Sequence, residues 1–141
     1  MYKSLNTKKN TTLGKVKSVR KVYGYPLDQN ETITSYPAVI YFPDSFDNEF
    51  HDTKSNIKFY RYKMYVVVET KNISQTDVFT DILPTVVDAI ISQFDTDWDF
   101  VTVDGHRIRA LINSGIWTQS VSEKGRTAVA DLNLIIKTLT N

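Results

Sequence analysis

The sequence predicts an α+β domain: a small, mainly antiparallel sheet with one long helix packed on it, preceded by a flexible basic arm. Three observations carry this. Residues 57–70 and 126–139 alternate apolar and polar side chains, as half-buried strands do. Between them, residues 74–94 repeat apolar side chains every four positions, as a helix does. The first 22 residues hold seven basic groups and no acidic one.

The helix is the plainest element. Ser74 stands where an N-cap belongs, with Asp77 three residues on in a capping-box-like arrangement. Val78, Ile82, Val86, Ile90 and Phe94 form one row, and Phe79, Leu83, Val87 and Ile91 a second. A spacing of four drifts by about 40° per step, so the apolar arc widens to roughly 220°. One flat sheet does not need so wide an arc. A second subunit is one way to cover it, and full burial within one domain is the other. Pro84 lies inside the pattern, so the helix kinks or breaks in two there.

The strands follow from alternation and punctuation. Val16, Val19, Val22, Tyr23 and Tyr25 suit a strand ending at Pro26, although the valine spacing of three also allows a short helix over 12–22. Residues 38–42 form a short strand bracketed by Pro37 and Pro43. Residues 43–56 read as a long loop with four acidic groups, Asp44, Asp47, Glu49 and Asp52. In the next strand Tyr60, Tyr62, Met64, Val66 and Val68 face the core, while Phe59, Arg61, Lys63, Tyr65, Val67 and Glu69 form a half-apolar second face. Residues 100–103 and 106–112 pair through a turn at Asp104-Gly105. Residues 113–121 continue as strand, with Gly115 marking a bulge. After a turn at 122–125, Ala128, Ala130, Leu132, Leu134 and Ile136 form the core face of the last strand.

The 141 residues suit one domain, divided here into an arm over 1–13 and an α+β body over 14–141. Apolar residues at 41% and charged residues at 23% are ordinary for a globular chain. Cysteine is absent, which removes disulfides and thiolate chemistry and suits the cytoplasm. The longest apolar runs, 38–42 and 64–68, fall far short of the ~20 residues of a membrane helix, and no secretory signal is visible. Net charge is +1, yet it is divided: after residue 22, 10 of the 17 basic groups face all 16 acidic groups, a net −6. Lys3, Lys8, Lys9, Lys15 and Lys17 are therefore candidate contacts to an acidic surface, such as a neighbouring copy, or to nucleic acid. A solvated terminus is the plainer reading.

Catalytic patterns are missing. His51 and His106 lie in no metal-spaced pair, and the acidic groups of 44–52 lack the alternation and central glycine of a calcium loop. There is no phosphate-binding glycine loop and no nucleophile elbow. No catalytic, cofactor or metal site is expected. A small enzyme using His51 remains the weakest alternative.

One segment carries a resemblance. Tyr36-Pro37-Ala38-Val39, then Asn48-Glu49-Phe50, then Thr53 and Asn56, leading into Tyr60 and its aromatic–aliphatic strand, resembles the tail terminator (tail completion) proteins of long-tailed bacteriophages. The helix and the two C-terminal strands follow in the order such a family implies, so the resemblance spans about 16–137. It implies a non-enzymatic virion protein of the tail or neck, without cofactors, made in the host cytoplasm. It implies a ring, usually of six copies, that stops tail-tube growth and presents a surface for head joining. Partners would be further copies of itself, the tail tube protein and a head-completion or connector protein. DNA would pass through the pore without specific binding, and no membrane is involved. Asp44, Asp47, Asn48, Glu49, Phe50, His51 and Asp52 are the candidate interface to a neighbour or to the tube. The family pattern has an amphipathic helix at the N-terminus, where this chain has a weakly patterned basic arm. That departure leaves two alternatives open: another neck or head-completion protein, or a small nucleic-acid-binding module that uses the arm.

Overall fold

A computed structural model describes residues 2–28, 31–71, 73–96, 107–122 and 125–140. It contains helix α1 (Tyr2–Gly14), strands β1 (Lys21–Tyr23), β2 (Ala38–Phe50) and β3 (Asn56–Glu69), then a helical run, then β4 (Arg107–Ser122) and β5 (Gly125–Thr140). The helical run comprises a short α2 (Gln75–Asp77), a π-helical turn (Val78–Ile82) and α3 (Leu83–Thr96). The five strands form one sheet in the order β1-β2-β3-β5-β4. Only β1 runs parallel to its neighbour, pairing Lys21–Tyr23 with residues 38–40 of β2; the other ladders are antiparallel. The α+β class and the mainly antiparallel sheet are therefore observed.

The core lies between one sheet face and α3. Tyr60, Tyr62, Met64, Val66 and Val68 of β3 and Ala128, Ala130, Leu132, Leu134 and Ile136 of β5 are buried, the two faces expected from alternation. From the helical run, Val78, Leu83, Val86, Val87, Ile90 and Phe94 close over them. Each large apolar side chain removed from water in this way contributes about 1.5–3 kcal/mol. The second apolar row is split: Leu83 and Val87 are buried, while Phe79 and Ile91 are only partly covered.

The helix start behaves as its sequence dictates. Ser74 Oγ accepts from the Asp77 N–H at 3.2 Å. Pro84 has no N–H, and its ring clashes with the carbonyl of residue 80 in a regular α-turn. The turn before it accordingly widens to π geometry, with the Leu83 N–H donating to Val78 O.

Three expectations are corrected. Residues 2–13, expected to have little fixed structure, lie in helix α1, whose Leu5 and Leu13 pack in the same core as the body. Leu5, Lys9, Thr12, Leu13 and Val16 are all buried, a 3.6-residue stripe hidden in the sequence by its two polar members. The strand expected over 16–25 shrinks to Lys21–Tyr23, because turns follow α1: the Val16 N–H donates to Leu13 O and the Val19 N–H to Val16 O. The long loop over 43–56 is largely strand: β2 continues to Phe50, paired residue by residue with β3. The irregularity between Pro43 and Ser45 accommodates the proline. A proline on a sheet edge removes no ladder bond.

In β4 the irregularity falls between Ile112 and Ser114, two residues before the expected Gly115. Gly115 is required for another reason: a Cβ there would stand 2.5 Å from Leu132 Cδ2 and 3.1 Å from the Asp131 carbonyl oxygen. The turn around Trp98, the strand at 100–103, the Asp104-Gly105 turn and His106 lie outside the described residues, as do residues 123 and 124 of the turn at 122–125.

Candidate interaction surface

The interface residues expected from sequence gather on the distal half of the β2–β3 hairpin. Residues 43–50 are exposed without alternation, so both faces of β2 meet solvent there. Asp44 occupies the irregular position, and Asn48 and Glu49 continue the strand. Asp47 forms an ion pair with Arg61 across the ladder, on a surface where such a pair is worth little. Phe50 is 94% exposed and Phe46 67%.

The tip is built by its own side chain. The N–H groups of His51 and Asp52 both donate to Ser55 O, at 3.0 and 3.2 Å. Asp52 Oδ1 accepts from the N–H of Lys54 at 2.7 Å and of Ser55 at 2.8 Å. This is an Asx-type turn. The Lys54 N–H, followed by the Ser55 contacts, holds the Asp52 carboxyl below the usual carboxylate range. The hairpin therefore ends in an ordered, acidic and aromatic projection.

The basic residues are placed elsewhere. α1 packs against α3 and β1, and Tyr41 Oη donates to Asn10 Oδ1 at 2.6 Å. Tyr41 lies nine residues before Phe50 on β2, about 30 Å along the strand. Lys3, Lys15 and Lys17 are exposed and Lys8 is half-buried. Lys9 is corrected as a contact residue: it is fully buried, with Nζ 2.7 Å from the centroid of the Tyr62 ring and 4.7 Å from that of Tyr41. Among the described residues Nζ has no hydrogen-bond partner, and burial pushes its pKa down to about 6. Near neutral pH the amine therefore rests mostly uncharged on the aromatic face. Lys9 cannot reach an acidic partner or a phosphate without undocking α1.

The sheet face away from α3 has no helical cover among the described residues. Phe42 and Tyr65 pack across it at 5.8 Å, and Lys63 pairs with Asp131 at 3.4 Å. Phe59, half-buried, lies between the Arg61 and Lys137 side chains, each 5.9 Å from its ring centre. A face of this mixed kind suits a wet contact better than a dry core.

Sequence reading missed the exposed apolar groups of β4. Leu111, Ile116 (62% exposed) and Trp117 (53% exposed) stand on this edge strand. A signal was present: Ile116 and Trp117 are consecutive, and in a strand consecutive side chains take opposite faces, so both cannot be core. Beside Trp117, an open cleft of about 210 Å³ separates Val87 and Ile91 of α3 from Ile112, Gly115 and Leu132. Among the described residues no group of three or more His, Asp or Glu could hold a metal ion, and no helix is long and apolar enough to cross a membrane. No protein-family model and no curated protein matches the chain.

Proposed function

We propose that this chain is a structural subunit of a bacteriophage tail: a terminator that assembles into a ring, caps the tail tube and offers the surface for head joining. The observation that carries this reading is the projecting hairpin. Residues 43–55 leave the helix-backed core as a paired, ordered extension whose side chains are exposed except Ser55. It bears Asn48, Glu49, Phe50 and Thr53, residues on which the resemblance to tail terminators rests. A domain that functions alone gains nothing from a fully exposed Phe50 at such a tip, whereas an assembling subunit buries it on contact.

The reading needs no enzyme activity and no cofactor. It assigns the hairpin to a neighbouring copy or to the tail tube protein, and another face to a head-completion or connector protein. An acidic body suits a pore through which DNA slides, since basic phosphate contacts would hold it. The virion tail or neck is the corresponding location. The nucleic-acid alternative is weakened by the burial of Lys9, which removes one of its five proposed contacts.

Native mass measurement and electron microscopy of the full chain, with and without tail tubes, test the reading. The expected result is a closed ring with a central hole. Monomers alone at high concentration under both conditions would overturn it.

A further inference from the structure

The two edges of the sheet differ in charge. At one edge, residues 43–50 of β2 extend past β1 and carry Asp44, Asp47 and Glu49 with no basic group. At the other edge, β4 carries Arg107 and Arg109 with no acidic group. Among the described residues neither edge is paired further. Both expose large apolar side chains, Phe46 and Phe50 on β2 and Leu111, Ile116 and Trp117 on β4. Long open edges of this kind are templates for another strand.

The ladders bring these charges into register. Asp47 pairs with Phe59, Phe59 with Lys137, and Lys137 with Arg109, so Asp47 and Arg109 end the same cross-strand row. Glu49, Ile57, Leu139 and Arg107 form a second row. Directly opposed residues share a sheet face, so Asp47 and Arg109 lie on the face away from α3. Next to the Asp47 row, on its far side from the Glu49 row, Phe46, Tyr60, Ile136 and Ala110 form a row on the helix side. Strand directions also agree: β4 runs antiparallel to β2. A second copy placed beside the first by rotation about a ring axis therefore sets its β2 antiparallel to the first copy's β4.

We infer that copies of this chain join head to tail through their sheets, β4 of one subunit pairing with the distal half of β2 of the next. The inference rests on the ring reading above and names its interface. Continuing the rows without stagger sets Arg109 opposite Asp47 and Arg107 opposite Glu49. It also lays the exposed Phe46 against the small Ala110. A slip of two residues in either direction keeps only one of the two charge pairs, and a slip of one reverses the faces. Two different edges that match each other make a heterologous contact, the kind that closes into rings.

The chain has no cysteine, which makes a cross-link test clean. Asn48 and Ile108 end a further row through Lys58 and Thr138. Within one subunit they are three strand spacings apart, about 14 Å, beyond the ~7 Å reach of a disulfide. The full chain carrying Asn48→Cys and Ile108→Cys, oxidised and run without reductant, gives a ladder of covalent oligomers up to the ring size. Asn48→Cys alone gives no such ladder. Charge reversal supplies a second arm. Asp47→Arg with Glu49→Arg, and separately Arg107→Glu with Arg109→Glu, each weakens assembly by about tenfold or more, and mixing the two proteins restores it. Native mass of the unmodified chain runs alongside. Rings without a cross-link ladder or charge rescue overturn the edge pairing and leave the ring standing. A ladder that stops at dimers also overturns it. Monomers throughout overturn both readings.

Discussion

Lys9 shows how one residue couples charge to the docking of a whole helix. Its Nζ is buried against the rings of Tyr62 and Tyr41, and burial lowers its pKa from 10.5 to about 6. The unfolded chain then binds a proton that the folded chain lacks across the window from about pH 6 to 10.5. Stability therefore rises with pH through that window, by up to about 1.4 kcal/mol per unit, and falls as pH drops toward 6. Lys9→Met keeps the packed stem and removes the titration. Urea unfolding of this variant is expected to show a higher midpoint at pH 7 and a flatter pH dependence. An unchanged slope between pH 6.5 and 9 would show that Lys9 is solvated.

At the scale of elements, β4 depends on a glycine for its closeness to β5. Gly115 leaves the space that the Leu132 side chain fills, and the Asp131 carbonyl stands close behind. Gly115→Val therefore overpacks this site, and a loss of about 1–3 kcal/mol is expected in thermal or denaturant unfolding. The turn before Pro84 obeys the same logic on the helix side. The backbone widens to π geometry where the missing N–H leaves no regular bond to make. Both devices are local answers to fixed covalent facts, and Gly115 also lines the cleft between α3 and β4.

On the scale of the whole molecule, the sheet is longer than the helix layer can cover. α3 spans 14 residues, about 21 Å, whereas β5 spans 16 residues, about 53 Å. The surplus emerges as the distal hairpin on one side and the exposed stretch of β4 on the other. Trimming the hairpin symmetrically, residues 48–50 together with 56–58, shortens the projection by three residue pairs, including Asn48, Glu49 and Phe50, while preserving the register behind it. Circular dichroism and a cooperative melt are expected to report a folded monomer, and native mass to report no ring. Undiminished assembly would exclude the hairpin from the interface.

Much of this was legible in the residues. Alternation placed the core faces of β3 and β5, because one buried side forces a period of two. Ser74 marked the helix start, and Pro84 marked its irregular turn. The unread parts share a cause: their order comes from neighbours. Residues 43–50 have no alternation, because neither face is buried, and they are strand because β3 templates them. Residues 2–14 look like an arm because Lys9 and Thr12 interrupt the apolar stripe, and they pack because α3 and the sheet offer an apolar seat. The sequence by itself determined the class, the core faces and the separation of charge along the chain. Tertiary structure alone decided which charges share a row, since Asp47 and Arg109 lie 62 residues apart in the chain and meet one row only through two intervening strands.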